Sequence, residues 1–387
     1  MKLLVVLSRF PYPLEKGDKL RAYHQIRCLA ATHDIYLAAV HDKPVSAADL
    51  KHLEPYCKSI FLLKQSGPRR FWNIGRAFFK GLPVQCGFFY SKKNARKLDK
   101  IVHAVQPDHI YCQLFRMAEY VKKYSIPKTI DYQDAFSKGM FRRAEKAPWW
   151  LKPVFNMEGR RTARYEAEVF GLFDNKTIIT AIDRDLIPHP QREQIVIVPN
   201  GVDLETFCFR NERKEYDLIF SGNMNYAPNV DAAVYLAKEI FPALAQQFPG
   251  VRLVLCGTNP APAVQALANA QVVVTGWVES MAAWYAKARI FVAPMRMGTG
   301  LQNKILEAMA MQLPCVASPL ACQPLGTAAH EGAIAVCHSS DEYIRNIGRL
   351  LTDAEYCNRL SQTGYRFVQQ HYDWHAAAAV LDRIMTR

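Results

Sequence analysis

Short apolar runs recur along the chain, and each is separated from the next by a stretch with apolar residues at helical spacing. In the first half they fall at residues 3–7, 35–40, 59–63, 109–112, 128–131 and 176–180. In the second half they fall at 217–221, 252–256, 271–275, 289–293 and 314–317, with helices expected at 230–247, 280–287 and 301–311. Such alternation is typical of parallel sheets covered by helices. The pattern predicts an α/β protein with two Rossmann-like domains.

The linker between these domains is expected where a strand runs into Pro199-Asn200-Gly201, since such residues form turns and hinges. We therefore predict one domain over residues 1–195 and a second over 196–387. The final helix, at about 368–387, is expected to cross back onto the first domain. A chain of 387 residues is long enough for two cores. Ligands of doubly wound sheets bind at the carboxyl ends of the strands, so a site is expected in a cleft between the domains.

Two features favour a cytoplasmic protein. No window approaches the roughly 20 apolar residues of a membrane span, and the apolar run after Met1 is typical of a buried strand and too short for a signal peptide. The ten cysteines form no CxxC pair and several lie within apolar runs, which favours reduced core thiols.

Charge is distributed unevenly. Residues 1–200 hold 34 Lys and Arg against 19 Asp and Glu, whereas residues 201–387 hold 15 against 16. The first half is expected to meet an anionic partner. Basic and aromatic residues alternate in two of its stretches, 69–100 and 138–164, which include Arg69, Arg70, Phe71, Trp72, Arg76, Phe78, Phe79, Lys80, Arg142, Arg143, Trp149 and Trp150. These stretches predict either a surface that docks on anionic lipid or ordinary amphipathic helices covering the sheet. No motif supports nucleic-acid binding.

The segment 291–326 has the pattern of an anion site. A strand ends at Pro294, the glycines Gly298 and Gly300 follow, and a helix is expected to begin near Leu301. The free amides and positive dipole end of such a helix suit a pyrophosphate, and Lys304 would add a charge. Glu307, one turn later, could accept hydrogen bonds from a ribose. The alternative is a glycine-containing turn before a packing helix with a solvated Lys/Glu pair.

Several ordered motifs resemble glycosyltransferase family 4, and most of all its bacterial exopolysaccharide sugar transferases. They are FPYPLEKGDKLRAYHQIRCLA, DYQDAFSK, VPNGVD, FSGNMNYAPNVDA, VTGWV and the block G-x-G-x-Q-N-K-x-L-E-A-M-A, and they span most of the chain. The resemblance implies the GT-B fold and retaining sugar transfer from a nucleotide diphosphate sugar, with neither metal nor other cofactor. It also implies a glycan or polyprenyl-linked acceptor.

The resemblance assigns donor-binding roles to a set of residues in the second half: Gly222, Asn223, Gly276, Trp277, Val278, Gly298, Thr299, Gly300, Leu301, Gln302, Lys304 and Glu307. Lys304 is also expected to assist catalysis by neutralising the leaving diphosphate. The chain departs from the family at Thr299, where many relatives have a glutamate that contacts the transferred sugar. The identity of the sugar and base therefore stays open.

Candidates in the first half follow its first and fifth predicted strands. Gly17 is expected to let a loop approach the donor closely, with Lys19 and Arg21 on the acceptor side; the alternative is a tight turn with solvated bases. Asp131 and Asp134 are expected to face the ligand, Asp134 accepting the acceptor proton with support from Asp131. Here the alternative is a strand-end cap or a surface acid.

Two further alternatives concern function. Asp183-Arg184-Asp185 matches the DxD pattern of metal-dependent transferases, although Asp is also common at helix starts. A nucleotide-sugar epimerase of the same fold or a non-catalytic binding protein would share the fold, so the site must decide.

Overall fold

The computed structural model describes residues 1–65, 67–298, 300–329 and 331–386, in two units. The first comprises Met1–Pro199 together with the end of the chain from Trp374, and the second is Asn200–Asp373. The boundary thus lies after Pro199 rather than after residue 195. Hydrogen bonds agree with this boundary, because the Pro199 carbonyl accepts from Arg21 Nη1 at 3.3 Å, whereas the side-chain Nδ2 of Asn200 donates to Asn303 Oδ1 at 3.4 Å.

The first unit is built on a parallel sheet of seven strands in the order β3-β2-β1-β4-β5-β6-β7. The strands are β1 (Lys2–Leu7), β2 (Asp34–His41), β3 (Ser59–Lys64), β4 (His109–Gln113), β5 (Lys128–Asp131), β6 (Asn175–Ile178) and β7 (Val196–Ile197). The helices are α1 (Gly17–Leu29), α2 (Ala47–Lys51), α3 (Gly67–Phe79), α4 (Val84–Phe89), α5 (Lys92–Val105), α6 (Ala118–Val121), α7 (Phe136–Lys146), α8 (Lys152–Phe170) and α9 (Ala181–Leu186).

The second unit repeats the plan with a six-stranded parallel sheet in the order β10-β9-β8-β11-β12-β13. Its strands are β8 (Tyr216–Ser221), β9 (Leu253–Cys256), β10 (Val272–Val274), β11 (Ala288–Ala293), β12 (Cys315–Ala317) and β13 (Ala335–Val336). Its helices are α10 (Ala227–Tyr235), α11 (Phe241–Gln247), α12 (Pro262–Gln265), α13 (Met281–Ala286), α14 (Asn303–Ala310), α15 (Pro319–Cys322), α16 (Ser340–Thr352) and α17 (Ala354–His371). A π-helical turn, Leu236–Ile240, joins α10 to α11.

The last helix, α18 (Trp374–Met385), belongs to the first unit. Its Leu381 and Met385 join the apolar cluster around β1, its Asp382 contacts His33 at 2.6 Å, and Trp374 stacks on His24 with ring centres 4.9 Å apart. The sequence predicts one helical stretch over residues 340–387, whereas the structure has three helices there, α16, α17 and α18. Asp353 causes the first break, because its carboxylate caps α17 by accepting from the Tyr356 amide at 2.9 Å.

Both sheets have fully buried central strands, as expected when helices cover both faces. Leu3–Leu7 of β1 and Leu253–Cys256 of β9 are completely enclosed. All ten cysteines are free thiols, six of them buried, while Cys208 is exposed. No helix in the described part of the chain combines the length and apolarity needed to cross a bilayer.

Candidate donor and acceptor sites

The start of α14 is the centre of the predicted anion site. The loop between β11 and α14 contains Gly298 at φ 118° and Gly300 at φ 78°, backbone conformations that favour glycine. The side chain of Gln302, the residue before α14, donates to the Gly300 carbonyl at 3.2 Å and so does not cap the helix. The start of α14 thus presents backbone amides with a positive dipole end. Thr299 lies outside the described residues.

Lys304 lies in the first turn of α14, as predicted. Its Nζ donates to Asn229 Oδ1 at 2.5 Å and lies 4.7 Å from the centre of the Phe220 ring. Burial lowers the pKa of Lys304 to about 7, although Glu307 acts in the opposite direction. An anion bound beside this amine would stabilise its protonated form.

Glu307 is held by a buried hydroxyl relay. Its Oε2 accepts from Tyr285 Oη at 3.1 Å, and Tyr285 Oη is 2.7 Å from Ser221 Oγ at the end of β8. Burial raises the pKa of Glu307, while Lys304 lowers it. Since no described residue hydrogen-bonds to Oε1, this oxygen is available to a ligand hydroxyl. The relay positions Glu307 as a hydrogen-bond acceptor.

Two glycines allow the ends of β8 and β9 to meet. Gly222 has φ 151° and Gly257 has φ 147°. A Cβ at Gly257 would lie 1.8 Å from the Gly222 carbonyl oxygen, and one at Gly222 would lie 3.1 Å from Lys304 Nζ. Glycine at 222 therefore leaves room for the ammonium group directly above the end of β8. Gly222 was predicted, but Gly257 was not.

Sequence reasoning also missed Asn229, Tyr285 and Ser221. Asn229 is buried near the start of α10, where its Nδ2 donates to the Asn223 carbonyl at 3.0 Å while its Oδ1 accepts from Lys304. It therefore connects predicted residues that lie far apart in the sequence. Its only signal was its place inside the FSGNMNYAPNVDA motif, and Tyr285 lay in no motif.

The predicted base-binding segment follows β10. Gly276 has φ 71°, Val278 packs against the core, and the indole of Trp277 is 68% exposed. An exposed indole can stack on a planar base. Asn223 is exposed beyond β8, as expected for a residue lining a site.

In the first unit, the expected ligand contacts of Arg21 and Asp131 are wrong. Both side chains are fully buried and bind each other, Arg21 Nε to Asp131 Oδ2 at 2.7 Å. Asp131 also accepts from Tyr111 Oη and Thr177 Oγ1, each at 3.0 Å. Because a lone buried charge is costly, each of these two buried charges needs the other as its partner. It fixes α1 against the end of β5.

Asp134, three residues after β5, does reach solvent. Gln133, at φ 64°, turns the chain outward just before it. The surrounding protein desolvates the Asp134 carboxylate and, with a smaller contribution from Asp183, raises its pKa to about 7. A carboxylate of this pKa suits proton transfer near neutral pH.

Gly17 and Lys19 lie at the start of α1, next to a cavity of about 410 Å³ at the carboxyl ends of β1, β2 and β3. Gly17 is exposed, and a Cβ there would meet no described atom within 4 Å. Lys19 lines the cavity, donates to the Tyr12 carbonyl at 3.2 Å, and has a pKa lowered by burial. Basic, acidic and aromatic side chains share this cavity, among them Arg9, Asp49 and Phe89.

Asp183 and Asp185 have structural partners. Asp183 stands in the first turn of α9, where its amide donates to Thr180 Oγ1 at 3.1 Å, so Thr180 rather than Asp183 is the capping residue. Asp185 pairs with Arg184 at 3.1 Å. Within the described ranges, no three His, Cys, Asp or Glu side chains are grouped to hold a metal ion.

Residues 215–353 match a family described as "Glycosyl transferases group 1". A Klebsiella pneumoniae protein, described as an uncharacterised 44.6 kDa protein in the cps region, is 22% identical over an alignment of 394 positions that covers 96% of each chain.

Solved structures of similar fold cover nearly the whole chain. Anabaena HepE, in complex with UDP, has a TM-score of 0.71 with 13% identity over 100% of both chains. Sucrose-phosphate synthase from Thermosynechococcus elongatus has a TM-score of 0.69 with 15% identity, covering 99% of this chain and 98% of its own. The predicted GT-B fold is confirmed. The matched domain supports a glycosyltransferase.

Proposed function

We propose that the enzyme transfers a sugar from a nucleotide diphosphate sugar to a glycan or polyprenyl-linked acceptor in cell-surface polysaccharide synthesis. The observation that carries this proposal is the pairing of Lys304 at the start of α14 with Glu307 one turn later, both anchored by buried partners. HepE, of the same fold, binds UDP, and the Klebsiella relative belongs to a cps region. We place the reaction in the cytoplasm, where free thiols stay reduced.

The donor would bind along the carboxyl edge of the second sheet. Its diphosphate would lie against Lys304 and the backbone of Gly298, Gly300, Leu301 and Gln302. The ribose hydroxyls would donate to Glu307 Oε1, and the base would lie beside Gly276, Trp277 and Val278. Helix-start amides and a lysine are the donors that diphosphates require.

Transfer would retain the configuration of the sugar. As the bond between sugar and diphosphate breaks, Lys304 and the α14 amides would stabilise the negative charge left on the diphosphate. The acceptor hydroxyl would attack the same face of the sugar that the diphosphate leaves, and Asp134 would take up its proton. These groups supply the charge stabilisation for which other transferases use a divalent ion.

The cavity beside Gly17 and Lys19 is the proposed acceptor subsite. Its mixture of charged, polar and aromatic groups suits a sugar, whose hydroxyls need polar partners and whose ring faces pack on aromatic surfaces. Buried Arg21 would not contact the ligand. Its bond to Asp131 anchors α1, the helix on which Lys19 lies.

The main rival is a nucleotide-sugar epimerase, since a UDP-GlcNAc 2-epimerase shares this fold. The match of residues 215–353 to the family described as "Glycosyl transferases group 1" favours transfer over epimerisation. The same match favours an enzyme over a merely binding protein.

Sugar-labelled nucleotide sugars test the proposal when mixed with lipid-linked oligosaccharides extracted from a capsule-producing bacterium. We expect at least one of the nucleotide sugars, tried with several different bases, to transfer its label to the lipid fraction. This transfer should occur both with and without EDTA. Lys304→Ala should lower the rate at least about a hundredfold, while the exposed control Lys238→Ala should not. Label recovered only as an epimerised nucleotide sugar would establish the rival, and restoration of EDTA-inhibited activity by Mg²⁺ or Mn²⁺ would contradict the metal-independent mechanism.

A further inference from the structure

Helix α3 exposes several large aromatic side chains, which we call the aromatic face: Phe71, Trp72, Phe78 and Phe79. The exposed fractions of Phe71, Trp72 and Phe79 are 79%, 79% and 90%. Trp72 and Phe79 are seven residues apart with exposed Arg76 between them, so they line one side of the helix. Exposed apolar patches of this kind mark interaction surfaces.

The opposite side of α3 is fixed to the protein by small and polar groups. Asn73 Nδ2 donates to the Tyr90 carbonyl at 2.8 Å, and Ala77 is buried against Gly87 of α4. A Cβ added at Gly87 would lie 2.6 Å from Ala77 Cβ, which shows how closely the two helices pack. The helix cannot rotate its aromatic residues inward without breaking this contact.

The stretch of sequence that contains α3 carries charge of one sign. Residues 55–98 contain ten Lys and Arg but no Asp or Glu. Arg76 and Lys80, both exposed, border the aromatic face. A basic segment with aromatic residues at its centre complements an anionic surface that has an apolar interior.

A second exposed pair, Trp149 and Trp150, lies between α7 and α8, with exposed fractions of 82% and 60%. Helix α8 also contacts the end of α3, because the Arg161 guanidinium lies 4.0 Å from the Phe78 ring centre and Arg164 donates to the Gly81 carbonyl at 2.7 Å. Helix α8 begins at Lys152, directly after this pair, and Arg161 lies about 14 Å further along the helix axis. The tryptophan pair and the aromatic face therefore both border α8.

We propose that the aromatic face, with Trp149 and Trp150 as a second contact, docks the first unit on a bilayer containing anionic lipid. Phe and Trp side chains would enter the interface between headgroups and acyl chains, and Arg76 and Lys80 would lie among the phosphates. Indole rings favour this interfacial depth, where one edge is apolar and the other wet. The inference is independent of the proposed sugar transfer, because none of these residues belongs to the donor or acceptor site.

Sedimentation of the full chain with two kinds of vesicle tests the proposal. One kind contains phosphatidylcholine alone, and the other also contains about 30% phosphatidylglycerol. We expect binding only to the anionic vesicles, and weaker binding as salt rises. Trp72→Gln with Phe79→Gln should weaken it more than about tenfold, whereas Phe209→Gln, an exposed aromatic residue of the second unit, should leave it unchanged.

Charge is tested separately. Arg76→Gln with Lys80→Gln should weaken vesicle binding about thirtyfold, from the usual contribution of each basic residue near an anionic surface. Arg213→Gln with Lys238→Gln removes the same charge from exposed positions of the second unit and should have little effect. Thermal melting confirms that each variant is folded. Absence of vesicle binding at low salt, or binding unaffected by the α3 variants, would overturn the proposal and leave the aromatic face to a protein partner.

Discussion

Asp134, the predicted proton acceptor of the first unit, reaches solvent, and its raised pKa has consequences for both activity and stability. If it accepts the acceptor proton, kcat should fall as the pH drops through about 7, where the carboxylate becomes protonated. Asp134→Asn should remove most activity and flatten this limb of the pH profile. The control Asp185→Asn, at an exposed carboxylate paired with Arg184, should leave both the activity and the pH profile unchanged.

The same group should affect stability with a defined sign. Because the pKa of Asp134 is raised from 3.8 to about 7 by folding, the native state binds more protons than the unfolded state between these values. Its contribution to stability is therefore present below pH 3.8 and is lost as pH rises through about 7. Asp134→Asn should raise Tm at pH 8 and not at pH 4. An unchanged pH profile of kcat, or a Tm gain at acid pH only, would argue against this role.

The Arg21–Asp131 pair leads to a prediction about stability. Arg21→Ala leaves a buried carboxylate without its counter-charge, so the free energy of unfolding in urea should fall by about 3–5 kcal/mol. Adding Asp131→Asn should recover part of this loss, since the unpaired charge is gone. Arg184→Ala, which breaks an exposed pair, should cost less than about 1 kcal/mol. Equal effects of Arg21→Ala and Arg184→Ala would contradict the buried geometry.

Residue type and local spacing predict that Lys304 and Glu307 lie on the same side of α14, but they do not predict the partners that hold them. Both lie within one helical turn after a glycine-containing loop, so their common side follows from helix geometry. Asn229 and Tyr285 reach them only because β8 and β11 are neighbours in the sheet. Likewise, nothing local distinguishes Arg21, which is fully buried, from Lys19, which lines a cavity.

At the scale of elements, strands were predicted closely, because a strand buried on both faces must be continuously apolar. Lys128–Asp131 agrees with β5 to the residue, and most other strands differ by a residue or two. Helix ends were less predictable, since they depend on single capping contacts. Residues 340–387 show this, where the carboxylate of Asp353 divides one apolar pattern into two helices before α18 returns to the first unit.

The meeting of β8 and β9 provides the prediction at this scale. Gly257→Ala places a methyl group against the Gly222 carbonyl and strains a left-handed backbone, so the second unit should lose about 2–4 kcal/mol of stability. Gly139→Ala, in α7 with open space around it, should be neutral or stabilising by up to about 1 kcal/mol. Chemical unfolding of both variants measures the difference. Equal stability of the two would mean that β8 and β9 do not approach this closely.

For the whole molecule, the sequence shows that the two halves of the chain differ in net charge. Residues 1–200 carry the basic excess, 34 against 19, and they include the aromatic face and the proposed acceptor cavity. Residues 201–387 are nearly neutral and include the proposed donor site, whose positive potential comes from Lys304 and the α14 dipole rather than from net charge. Vesicle binding and nucleotide binding should therefore respond to different substitutions.

The central claim is that Lys304 and Glu307 form a nucleoside diphosphate site, and calorimetric titration with UDP, GDP, ADP and TDP tests it directly. At least one should bind the wild-type chain. Glu307→Gln keeps an acceptor for Tyr285 but removes the charge that attracts ribose hydroxyls, so Kd should rise about tenfold to a hundredfold with Tm unchanged. The control Glu355→Gln, at an exposed residue in the first turn of α17, should bind nucleotide as the wild type does. If folded wild-type protein binds none of the four, or if Glu307→Gln binds as tightly as wild type, the donor-site assignment is wrong.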